Sequence, residues 1–190
     1  MSYIVTIIVI ANILSVLYAT DNNRLTWSIG LVASVLTTII FAIDGMYMSS
    51  LYNLYSSIMC ICGIILWNKN KSDNIKTLIR QDFFTNCLYT LWLFLGIGII
   101  NIVIVKSEHA LLDSVGTATA IIGMLLLVKK NIYAWIFFIL GDIAYITLSF
   151  VTHDWKYLII YGVLFIFAVH GYIKNTILFN NNIKQEHGKI

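Results

Sequence analysis

The stretch IYAWIFFILGDIAYITLSFV, Ile132–Val151, decides the fold class. Its twenty residues carry a single charge, Asp142, and no proline. At about 1.5 Å rise per residue, a helix of about 20 apolar residues matches the ~30 Å hydrocarbon thickness of a bilayer. Working outward, six more segments have similar character: Ser2–Thr20, Trp27–Asp44, Met46–Trp67, Phe83–Val105, Leu111–Val128 and Tyr157–Ile177. None alternates apolar and polar residues as a strand does, and in lipid the backbone must satisfy its own hydrogen bonds. The fold class is therefore all-α integral membrane, with seven transmembrane helices.

Composition agrees. Of 190 residues 59% are hydrophobic and 11% charged, whereas soluble domains carry about 25% charged residues. The net charge of +3 is grouped in short loops, with no basic stripe to follow a phosphate backbone, so no nucleic-acid partner is expected. Membrane lipid is the expected surrounding. Cys60, Cys62 and Cys87 fall inside apolar runs at spacings that suit neither a metal nor a disulfide framework, and are read as reduced packing residues. Tyr3–Ala19 lacks a basic leader and a cleavage site and is read as a retained helix.

Lys and Arg are unevenly placed. Arg24, Lys69, Lys71, Lys76, Arg80, Lys129, Lys130, Lys174, Lys184 and Lys189 fall on one side of the seven-helix plan, Lys106 and Lys156 on the other. The excess predicts an outer N-terminus and a cytoplasmic C-terminus. Residues 1–178 are expected to form a single transmembrane domain, and 179–190 a polar, disordered cytoplasmic tail. With no proline to hinge a helix, moving parts must bend at glycines or rock as rigid bodies.

At an offset of 108 residues the second and third spans slide onto the sixth and seventh without gaps. Trp27 then meets Trp135, Tyr47 meets Trp155, Ile58 meets Ile166, and Gly63 meets Gly171. Spans four apart point the same way, so the pattern predicts a 3+1+3 parallel pseudo-repeat. Its halves cover about residues 2–67 and 111–177, with a linker helix over 83–105.

An ionisable residue inside the membrane is costly and so marks a functional position. Asp142 is the leading one. Trp135, Phe138, Asp142 and Tyr145 share one helix face, where an aromatic wall beside a carboxylate suits a cationic heteroaromatic solute. The competing reading makes Trp135 an interfacial anchor beside Lys129 and Lys130, with Asp142 hydrogen-bonded to a neighbouring helix. Asp113, Gly116, Thr117, Ala120 and Gly123 line one side of the fifth span. Small residues at that spacing read as helix packing, and Asp113 as a helix cap. Polar groups that could meet a hydroxylated ligand, or bridge helices, are Asn53 with Tyr52, Tyr55, Ser56 and Ser57, then Asn86, Tyr89 and Asn101, then Tyr161 and His170. No nucleophile elbow, phosphate loop or paired-histidine motif is present, so neither an enzyme nor a cofactor or metal is expected.

Lys129-Lys130, Trp135, Asp142 and the run Tyr161, Phe165, Ala168, Gly171 resemble the Pnu family of bacterial vitamin transporters. So does Gly63-Ile64-Ile65-Leu66-Trp67 at the close of the third span. The resemblance covers essentially the whole chain. It implies facilitated diffusion of nicotinamide riboside, thiamine or riboflavin across the bacterial cytoplasmic membrane, with trapping by a separate kinase. The implied fold is similar to the SWEET sugar transporters. Two departures bear on the solute: the family's Trp-x-x-Trp pair reads Trp135 and Phe138, preceded by Ala134, and the tryptophan at the last helix's end is Asn175. That last change is expected to alter interface anchoring. Trp135, Phe138, Asp142, Tyr145, Asn53 and Tyr161 are the expected solute contacts, with nicotinamide riboside first and thiamine next. A homo-oligomer, a proton-coupled role for Asp142 and a non-transporting membrane sensor stay open.

Overall fold

The computed structural model describes residues 2–43, 47–69, 80–105 and 109–187. Seven α-helices account for almost all of them: α1 Ser2–Thr20, α2 Leu25–Ile43, α3 Tyr47–Lys69, α4 Arg80–Ile100, α5 Ala110–Val128, α6 Tyr133–Val151 and α7 Trp155–His187. A π-helical turn, Asn101–Val105, prolongs α4. Six of these helices are long and apolar enough to cross a bilayer, while the apolar run of α1, Thr6–Thr20, is shorter. Asp44, Met46, Lys71, Lys76, Lys106 and Lys189, used above for span bounds and charge bias, lie outside the described residues.

The chain divides into two compact units, residues 1–74 and 75–190. In the first, α2 packs against both α1 and α3. In the second, α6 packs against both α5 and α7, and α4 lies along α5.

The turns that join these helices are built alike. At the end of α1, Asn22 N–H donates to Ala19 O (3.0 Å) and Asn23 N–H to Tyr18 O (2.9 Å). This is the Schellman arrangement, which needs a left-handed residue, here Asn22 at φ 51°. The Asn23 side chain then accepts from Leu25 N–H (3.0 Å) and starts α2. The set recurs 108 residues later: Lys130 N–H to Leu127 O (2.9 Å), Asn131 N–H to Leu126 O (3.0 Å), Lys130 at φ 54°, and Asn131 accepting from Tyr133 N–H (3.0 Å). A third copy, with His153 at φ 57° and Asp154 as the capping acceptor, joins α6 to α7.

Packing repeats with the same offset. The Trp27 ring lies on Gly63, and the Trp135 ring on Gly171, where a Cβ would stand 2.6 Å from the ring. Lipid tails are as apolar as these side chains, so close van der Waals contact over a glycine, rather than escape from water, holds such helices together. One contact is mirrored with the sizes exchanged. In the first unit Gly30 of α2 faces Ser15 of α1; in the second, Phe138 of α6 faces Gly123 of α5. Ser15 and Thr26 also lock α1 to α2, each hydroxyl donating to the other's carbonyl at 2.9 and 2.8 Å.

Three sequence expectations are corrected. The last helix does not stop near Ile177 or give way to a disordered tail at Asn180; α7 runs 33 residues to His187, about 50 Å at 1.5 Å per residue. Residues 172–187 hold no proline or glycine, and extending a formed helix needs no new nucleus. Trp135 is not an interfacial anchor, because it is 2% exposed and seated on Gly171. Asn175 is no interface residue either: it is equally buried and its amide donates to Gly171 O (2.8 Å).

Candidate functional site

The inward face of α6 carries most of the expected contacts. Successive side chains along it turn to different neighbours, because 100° per residue separates positions that look alike in sequence. Trp135 faces Gly171 of α7, and Phe138 faces Gly123 of α5. The two rings meet edge to face, centroids 6.1 Å apart at 67°. Three residues past Asp142, Tyr145 lies against Gly116 of α5, with its hydroxyl 2.9 Å from Thr117 Oγ1. The Tyr145 ring also stacks on Tyr161 of α7, at 4.7 Å and 13°. Tyr157 continues the column at 6.4 Å and 28° from Tyr161.

Asp142 lies on α6 between the positions that meet α5 and those that meet α7. It is half-buried, and among the described residues it has neither a hydrogen-bond nor an ion-pair partner. An ionised carboxylate held this way in an apolar layer is costly. A proton, a cationic guest or a hydrated cavity can offset that cost.

Asp113 behaves differently. Its carboxylate accepts from Asn101 Nδ2 (3.0 Å), and the same amide donates to Ser114 Oγ (3.0 Å). Asp113 thus fastens the π turn after α4 to the start of α5 instead of capping its own helix. Both residues stand out in the sequence. Their partnership does not, since it depends on how the chain turns between them.

Asn53 belongs to the first unit, half-buried on α3, with its carbonyl accepting from Ser57 Oγ (2.9 Å). Ser57 also bridges to Ser34 of α2 (2.9 Å), so that hydroxyl serves packing. Tyr89 and His170 are exposed. Sequence reasoning missed Tyr157, although its position four residues before Tyr161 on one helix was a usable signal. It also gave Thr117 only a packing role.

A cavity of about 240 Å³ opens between α4 and α5, lined by Cys87, Thr90, Leu91, Phe94, Val115, Ala118 and Thr119. The hydroxyls of Thr90 and Thr119 are bonded to carbonyls of their own helices, so the lining offers no polar group to orient a solute. The α6 face, with a carboxylate among rings, is the better candidate.

Comparison with known proteins adds independent findings. The family described as Nicotinamide mononucleotide transporter matches residues 2–176. Among curated protein sequences none matches. The solved structure described as "Crystal structure of the Vitamin B3 transporter PnuC" is similar in fold, with a TM-score of 0.78 at 18% identity, covering 95% of this chain and 83% of that one.

Proposed function

The chain belongs to the nicotinamide mononucleotide transporter family, and from that premise we propose that this multi-pass vitamin transporter carries nicotinamide riboside by facilitated diffusion, with phosphorylation inside the cell trapping the product. The observation that carries this reading is the carboxylate of Asp142, without a partner among the described residues, on an aromatic face. Nicotinamide riboside bears a fixed positive charge on a flat ring. The mononucleotide adds a phosphate of about −1.5 to −2 charge, which a lone carboxylate repels. The unphosphorylated riboside therefore fits this face better than the mononucleotide.

In this reading the pyridinium stacks on Phe138, with Trp135 held edge-on behind it, and Asp142 balances the charge. Tyr145 and Tyr161 border the site, and Tyr161 meets the ribose hydroxyls. The 3+1+3 plan, an outer N-terminus, a cytoplasmic C-terminus and the bacterial cytoplasmic membrane complete the proposal, supported by the lysine and arginine distribution. Thiamine is the second reading, because it too is a cationic heteroaromatic.

Calorimetric titration of the purified protein with nicotinamide riboside, thiamine and nicotinamide mononucleotide tests the proposal. The riboside is expected to bind most tightly, and Asp142→Asn to weaken it about 30-fold or more, as loss of a desolvated charge partner does. Equal affinity for riboside and mononucleotide overturns the charge argument, and tighter binding of thiamine reassigns the solute.

A further inference from the structure

Threonines in these helices have a habitual hydrogen bond. Thr37, Thr38, Thr90, Thr119 and Thr147 each donate to the carbonyl four residues earlier, the usual way a hydroxyl is satisfied in an apolar layer. Thr117 departs from it. Its hydroxyl is turned away from its own helix to Tyr145 Oη, 2.9 Å away. The residue before it is Gly116, where a Cβ would stand 2.6 Å from the Tyr145 ring. Two adjacent residues of α5 thus hold one tyrosine, the first by leaving room for its ring and the second by fixing its hydroxyl.

The opposite side of that ring system is Tyr161, nearly parallel at 13°. The first unit has no counterpart among its described residues. The positions 108 residues before Thr117 and Tyr145 are Val9 and Thr37, and Thr37 bonds to its own helix. We infer that Thr117 is a positioning residue for the solute site: it holds Tyr145 in the plane stacked on Tyr161, so that a fixed aromatic border stands one helical turn from Asp142. The inference rests on the vitamin reading above. A ring locked before the solute arrives lowers the ordering cost of binding.

The test is titration of nicotinamide riboside against wild type, Thr117→Val, Tyr145→Phe, the double variant and Thr117→Ser. Thr117→Val and Tyr145→Phe are each expected to weaken binding about fivefold, the value of one hydrogen bond. The double variant should be no weaker than either, since all three lose the same bond. Thr117→Ser, which keeps the hydroxyl, should restore wild-type affinity. Unchanged binding by Thr117→Val, multiplying effects in the double variant, or a serine as weak as the valine overturns the inference. Should Thr117→Val fail to fold, Tyr145→Phe decides, and unchanged affinity there overturns it. Absence of binding by the wild type removes the vitamin reading and this inference with it. Wild-type binding with a broken variant pattern removes the inference alone.

Discussion

The two units share turns and packing contacts, yet they use the same positions for opposite ends. In the first, Ser34 of α2 donates nothing to a guest; it accepts from Ser57 of α3 and is 4% exposed. In the second, the residues 108 positions later are Asp142 and Phe165, and Asp142 has no partner among the described residues. Thr37 and Asn53 likewise correspond to Tyr145 and Tyr161, the stacked pair. One unit closes its helices with small hydroxyls, while the other keeps a carboxylate and rings. A shared frame therefore says little about where chemistry resides, and the departures from it say most.

Exchanging those residues gives the sharpest test. Ser34→Asp places an unpaired carboxylate in a closed contact and should destabilise the protein by about 3–5 kcal/mol, read from thermal unfolding in detergent. Asp142→Ser should cost no stability while removing solute binding. If Ser34→Asp is tolerated as well as Asp142→Ser, the two faces are equivalent and the comparison fails.

The shared Trp-on-Gly contact comes next. Gly63→Ala and Gly171→Ala each overpack a ring and should cost about 1–3 kcal/mol. Similar losses in both units would confirm a common architectural role; a loss confined to one would break the symmetry. Smaller still, Ser57→Ala removes the bridge to Ser34 and should cost about 0.6 kcal/mol, the average for a hydrogen bond between membrane helices.

A gain in stability, rather than a loss, is expected at the left-handed turn residues. Asn22 tolerates positive φ better than Lys130 does, because a short polar side chain bonds locally. Lys130→Gly should therefore raise the unfolding midpoint, by about 1 kcal/mol in stability, and Asn22→Gly by less. Equal gains at the two positions would show that the turns carry equal strain.

The sequence made some of this legible and not the rest. Trp27 with Trp135 and Gly63 with Gly171 stood out at one offset, and each tryptophan proves to lie on the glycine of its own unit. That Trp135 is thereby buried, with Phe138 edge-on to it, was not legible, because an aromatic at a helix start reads equally as an anchor or as core. Asn175 misled for the same reason: a polar residue near a span's end looks interfacial until its amide is seen on Gly171 O.

By itself the sequence determined the helical membrane class, the approximate spans and the lone carboxylate of Asp142, since these follow from length, apolarity and the cost of charge in lipid. Only the tertiary structure decided that Asp142 has no partner among the described residues while Asp113 is tied to Asn101, and that Thr117 reaches Tyr145. In helices apolar on nearly every face, periodicity cannot tell which side meets a neighbour. Partners are set by the neighbouring helix and by the glycines that let it come close.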